Sequence, residues 1–124
     1  MMVMNPVRVL IADDQSPVRQ DLRALLPLIG EIEIAGEAAD GEEAIAQAAA
    51  LQPDVVLMDL DMPIVDGREA TRQIKARQPA CRVIALTIHT DAASRQAAEQ
   101  AGADDFVEKG TPLSYLLQAI LRQP

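Results

Sequence analysis

Aromatic residues are almost missing from this chain: one phenylalanine, one tyrosine and no tryptophan among 124 residues. A core built without them must be packed from aliphatic side chains and alanine, and the chain is 49% hydrophobic. Cysteine is represented only by Cys81, which excludes an internal disulfide and a multi-cysteine metal site and fits a reduced, intracellular protein. Positive charge is scarce as well. Eleven Lys and Arg against nineteen Asp and Glu leave a formal net charge of −8 and a pI near 4.5, which argues against a chain that holds nucleic acid or an anionic membrane by itself. No apolar run approaches the roughly 20 residues of a membrane helix. The opening MMVMNP has neither the basic start nor the long apolar region of a secretory signal. What is present suits a single domain, residues 1–124, long enough to bury a core.

Five short β-rich runs alternate with five longer helical patterns. The runs are Val7–Ala12, Ile32–Glu37, Asp54–Asp59, Arg82–Thr87 and Asp105–Lys109. The first, third and fourth are nearly continuous apolar stretches, the pattern of strands buried on both faces of a parallel sheet. In the first helical pattern Ser16 is expected as N-cap and Pro17 at the first helical position, with Val18, Leu22, Leu25 and Leu26 on one face. Pro27 should end this helix or disturb its last turn, because it removes a backbone donor. The second pattern places Glu42 and Glu43 in its first turn, where the helix dipole favours acids. A third follows Gly67, a fourth closes at Gly102, and a fifth, PLSYLLQAILRQ, carries Leu113, Leu116, Leu117, Ile120 and Leu121 on one stripe. Alternation of this kind predicts an α/β fold, a parallel sheet between two layers of helices. Ligands of such sheets bind outside the carboxyl ends of the strands.

Chemistry-bearing residues stand at those ends. The first strand runs into Asp13 and Asp14, the third into Asp59, the fourth into Thr87 and the fifth into Lys109. Any one of these has an ordinary explanation as a turn, cap or surface residue. A parallel sheet brings all five to one edge. Three crowded carboxylates repel one another, and at least one tends to keep a proton. A divalent cation together with the lysine ammonium balances three negative charges, and hard oxygen ligands without His or Cys select Mg²⁺, or Mn²⁺ in its place. A carboxylate nucleophile, a metal for phosphoryl oxygens, an ammonium and a hydroxyl are the parts that phosphoryl transfer uses.

Asp13–Asp14, LMDLDMPIVDG around Asp59, Thr87 and DDFVEKG around Lys109 together resemble the receiver domain of bacterial two-component response regulators, over essentially the whole chain. LTIHTD and AGADDFVEKGTPLSYLLQAI look most like the NarL/LuxR-type transcriptional regulators. The resemblance implies a flavodoxin-like, doubly wound five-stranded sheet of order 2-1-3-4-5 with five helices. It implies that Asp59 accepts a phosphoryl group from a phosphohistidine on a sensor histidine kinase. Asp13, Asp14, Asp59 and the backbone carbonyl of Asp61 would hold Mg²⁺, and Thr87 and Lys109 would bind the phosphoryl oxygens. Thr87 and Phe106 would form the conformational switch. Such a domain is a cytoplasmic signalling module, catalysing only its own phosphorylation and dephosphorylation, with an output domain fused or separate, room for a homodimer, and no direct contact with nucleic acid or membrane. In NarL/LuxR-type regulators a helix-turn-helix domain follows the receiver; here the chain stops at Pro124, so an excised or a stand-alone receiver is expected.

Two departures from the family pattern stand out. Lys109 is followed by Gly110 where many receivers have proline, so a trans bond and a more flexible loop are expected. Phe106 occupies the aromatic switch position without a hydroxyl, and a plain core role competes with the switch. His89 is expected as an exposed loop residue, or as a side chain leaning over the site and affecting hydrolysis of the aspartyl phosphate. Asp66–Gly67 reads as a turn entering a helix, and Cys81, Met58 and Met62 as packing. The alternative is a haloacid-dehalogenase-type phosphatase, with Asp59 as nucleophile and Asp61 acting on the leaving group. That family's Asp-x-Asp normally lies on the first strand, and here it lies on the third.

Overall fold

Strands that are apolar at nearly every position need a cover on each face, and the fold supplies it. The computed structural model describes residues 5–62 and 64–122; the opening MMVM and Gln123 of the fifth predicted helix lie outside the described residues. The elements are β1 (Val7–Ala12), α1 (Ser16–Ile29), β2 (Ile32–Ala38), α2 (Gly41–Leu51), β3 (Val55–Asp59), α3 (Gly67–Arg77), β4 (Arg82–Thr87), α4 (Ala92–Ala101), β5 (Asp105–Glu108) and α5 (Leu113–Leu121). All strand pairings are parallel, in the order β2-β1-β3-β4-β5.

The two-residue period of a strand divides each apolar run between two cores. Leu10, Val56, Met58, Val83 and Ala85 face α2, α3 and α4, where Ala44, Ala48, Ala70, Ile74 and Ala98 meet them. Val9, Ile11, Val55, Leu57, Ile84 and Leu86 face α1 and α5, against Leu26, Leu116, Ala119 and Ile120. The alanines on the first face let helices sit close to the sheet, and this packing takes the place of aromatic side chains. Among the described residues no helix is long and apolar enough to cross a membrane.

Helix ends depart from the sequence expectations in three places. Ser16 is the first residue of α1, and Gln15 takes the cap position without a side-chain cap bond. Gln15 N instead donates to Asp13 Oδ1 at 2.8 Å, so the turn is organised from the acidic pair. Pro27 does not end α1, which runs on to Ile29. Proline removes one amide donor, but buried Leu26 fixes this turn against the sheet, and packing outweighs the lost bond. Leu25, expected on the buried face, is 44% exposed, and on α5 Leu121 is 39% exposed, so each apolar stripe is wider than the surface it covers. With Ser16 inside the helix, Pro17 becomes its second residue and not its first. The remaining helix-end expectations hold. Glu42 and Glu43 lie in the first turn of α2 behind an Asp40 cap, and Gly102 closes α4 with φ of 104°.

Candidate functional site

The site is assembled where the strands end. β1 continues into Asp13, whose N–H donates to Ala38 O on β2 at 3.0 Å and keeps the aspartate in line with the sheet. Arg19 of α1 donates to Asp13 O at 2.6 Å and pairs with Glu37 at 3.1 Å, so it ties the β1 end to α1 and β2. Asp59 is the last residue of β3, held between β1 and β4, and is 2% exposed. Its Oδ1 accepts the N–H of Asp61 at 3.0 Å, which aims the carboxylate along the strand end.

Behind Asp59 the chain turns sharply. Asp66 caps α3 by accepting from the amides of Arg68 and Glu69. Gly67 packs directly on the end of β3: a Cβ there would lie 2.2 Å from Asp59 O and 2.6 Å from Leu60 Cα. Only glycine allows α3 to begin so close to β3.

One carboxylate oxygen each from Asp13, Asp14 and Asp59 lies within 4.8 Å of the others. Asp13 and Asp59 are buried, and Asp14 is exposed. Lys109 enters from the end of β5, where its N–H donates to Thr87 O at 2.9 Å. Its ammonium lies 3.0 Å from Asp13 Oδ2 and 3.3 Å from Asp59 Oδ2. Burial pushes the Asp59 pKa above the ordinary carboxylate value, and the Asp13 charge adds to the rise, against the lowering by the Asp61 amide and Lys109. For Lys109 burial works against the charged form, but the hydrogen bond to Asp13 and the charges of Asp59 and Asp13 outweigh it and raise its pKa. Three carboxylates and one ammonium leave a surplus of negative charge on clustered oxygen atoms. The donor set therefore fits a hard divalent cation.

Thr87 is buried at the end of β4, and its Oγ1 accepts the N–H of His89 at 2.9 Å. Asp13, Asp14, Asp59, Thr87 and Lys109 thus all stand at one edge, as the sequence predicts. Asp61 does not join the carboxylate cluster. Its side chain is 45% exposed and faces His89 Nε2 at 3.7 Å. His89 is itself 55% exposed. Phe106 lies on β5 opposite Ala85, partly buried against the α2–α4 core. Two contacts escaped the sequence reading: Arg19 beneath Asp13, and Arg95 over the Phe106 ring at 4.9 Å. Neither arginine has a spacing that announces its partner, because both contacts join different elements. Lys109–Gly110 is trans, as expected, and Gly110 has φ of 89°.

Residues 9–121 match the response regulator receiver domain family. The response regulator GacA of Pseudomonas viridiflava is 39% identical over 114 residues, covering 92% of this chain and 53% of that protein. A two-component response regulator of the LuxR family from an Aurantimonas species superimposes with a TM-score of 0.87 at 36% identity, over 93% of this chain and 82% of the other. The signal receiver domain of the NarL response regulator from Mycobacterium tuberculosis gives 0.90 at 31% identity, over 95% of each chain. The chain belongs to the response regulator receiver family of two-component systems, with relatives of the NarL and LuxR type. It spans about half the length of the curated relatives it matches. Response regulators are paired with histidine kinases and often carry output domains.

Proposed function

We propose that Asp59 is the phosphoryl acceptor of this receiver, that Mg²⁺ binds at Asp13, Asp14, Asp59 and the Asp61 carbonyl, and that a sensor histidine kinase in the cytoplasm is the donor. The observation that carries the reading is the buried Asp59 carboxylate, one oxygen held by the Asp61 amide and the other facing Lys109. In the transfer an Asp59 oxygen attacks phosphorus, the N–P bond of the phosphohistidine breaks, and the imidazole takes back the bonding pair. The cation supplies charge stabilisation for the phosphoryl oxygens when bound. Lys109 neutralises charge on the acceptor side, and burial excludes water from Asp59.

The product carries about −1.5 to −2 charge and three acceptor oxygens. Lys109, already between Asp13 and Asp59, follows that charge. Thr87 Oγ1 accepts from the His89 amide and keeps its own O–H to donate to a phosphoryl oxygen. The change at Thr87 reaches Phe106 and α4, and the output is transcription through a DNA-binding domain. The domain is a stoichiometric phosphoacceptor and turns over no other substrate. Incubation with acetyl phosphate and Mg²⁺ should add ~80 Da, one phosphoryl group, to the wild-type chain. Asp59→Asn should gain nothing, and an unmodified wild-type chain refutes the proposal.

The His89–Asp61 pair beside the acceptor bears on the product's lifetime. His89→Ala is expected to change the first-order decay of the phosphorylated form by less than about 10²-fold, the low end of the range for one positioned general acid or base, because the side chain is more than half exposed. Decay followed by intact mass checks this, and an unchanged rate removes His89 from the account.

A further inference from the structure

Phe106 is one of two aromatic residues in the chain, yet it is only partly buried. On β5 it pairs with Ala85, two residues before Thr87 on the same face of β4. Ala98 and Ala103 are small residues on the groove of about 140 Å³ that runs beside it between α4 and β5. The ring therefore has room to change position.

The Arg95 guanidinium lies over this ring, 4.9 Å from its centroid. On α4, Arg95 has Asp91 four residues before it and Glu99 four residues after it, the spacing at which helix side chains form ion pairs. Neither acid holds it: no ion pair among the described residues includes Arg95. Asp91 uses its carboxylate on the Ser94 amide and hydroxyl. The cation rests instead on the aromatic face, where the ring quadrupole attracts it. A phenyl ring has no hydroxyl by which a hydrogen bond could hold it, so this contact is the polar hold available to it.

We infer that Arg95 is a positioning residue that clamps the Phe106 ring in its resting, partly exposed placement and thereby sets how readily the domain enters its activated state. The inference rests on the receiver reading, since Phe106 matters only if Thr87 moves. In the resting arrangement Thr87 Oγ1 accepts from the His89 amide and keeps its own O–H to donate. When Thr87 moves toward a phosphoryl group, the ring shifts toward the space vacated beside β4 and loses its face to Arg95. A contact made in one of two states biases their populations by its own strength. A cation–π contact at an exposed site biases them about two- to fivefold.

The test is a beryllofluoride titration with Mg²⁺, a phosphoryl mimic, followed by NMR at β4 and Phe106 in wild type, Arg95→Met, Arg95→Lys and Phe106→Leu backgrounds. Arg95→Met should tighten the apparent affinity about two- to fivefold, and Arg95→Lys, which keeps a cation, should tighten it less. In a Phe106→Leu background Arg95→Met should have no effect, because the ring it acts through is gone. Equal or weaker binding by Arg95→Met, or the same gain without the ring, overturns the clamp while leaving the receiver reading intact. Wild-type protein that binds no beryllofluoride overturns the receiver reading. The clamp is then judged in the unliganded protein, where Arg95→Met must shift the Phe106 ring signals and Arg95→Lys must shift them less; unmoved signals refute it.

Discussion

Asp59 holds its charge against its surroundings. Burial is the largest influence and raises its pKa above 3.8, with Asp13 adding to the rise. An acid whose folded-state pKa is raised is protonated more readily in the native chain than in the unfolded one. Its contribution to stability is present below the unfolded value and is lost as pH rises through the folded value. At neutral pH the ionised Asp59 therefore destabilises the metal-free fold. Asp59→Asn should raise the thermal midpoint at pH 7.5 and raise it less near pH 4; calorimetry at the two pH values measures this, and a lower midpoint at pH 7.5 contradicts it. Mg²⁺ should stabilise wild type more than Asp59→Asn, because it binds the native carboxylate set. Gly67 acts on the same residue from behind. Gly67→Ala brings a Cβ within 2.2 Å of Asp59 O. It should cost about 3 kcal/mol, the upper end of the ordinary range for overpacking, by urea denaturation. At this scale Asp13, Asp14, Asp59, Thr87 and Lys109 were legible because each ends a strand whose pattern is plain. Arg19 and Arg95 were not, since an arginine on a helix reads the same whether it faces water, a carbonyl or a ring.

Elements differ in how firmly they are held. β1, β3 and β4 were readable as strands because both faces of their central residues are buried and those positions are apolar. α1 was readable as a helix but not in its ends. Proline at position 27 signals a stop, yet Leu26 is fully buried and the helix continues past it to Ile29. Local propensity was outvoted by packing there, as it is wherever a short segment anchors a large side chain. α4 is the opposite case. Gly102 closes it, so its C-terminal end was legible, whereas the Asp91 cap was not read; its buried residues are only Ala98 and Ala101. Little apolar area ties it to the sheet, and local opening follows low burial. Its amides should exchange hydrogen faster than those of the central turns of α5, where Leu116, Ala119 and Ile120 are buried. Slower exchange in α4 than in α5 contradicts this ranking.

The whole molecule places its signal chemistry on one edge and its packing on two faces. A net charge of −8 suits the cation that the proposed site would hold. Sheet order was legible only through resemblance, because alternation of strands and helices specifies parallel pairing but not which strand lies beside which. Once the order is β2-β1-β3-β4-β5, Asp59 falls in the middle of the edge, with Asp13 on the neighbouring strand and Lys109 reaching across from β5. The proposed reading makes Asp59 the one acceptor of that edge. The most direct measurement is to phosphorylate the chain with acetyl phosphate and Mg²⁺, trap the acyl phosphate by borohydride reduction, and locate the modified residue by tandem mass spectrometry. The account predicts a single modified residue, Asp59. Modification at Asp61, or steady hydrolysis of phosphate esters with no trapped residue at all, would contradict it.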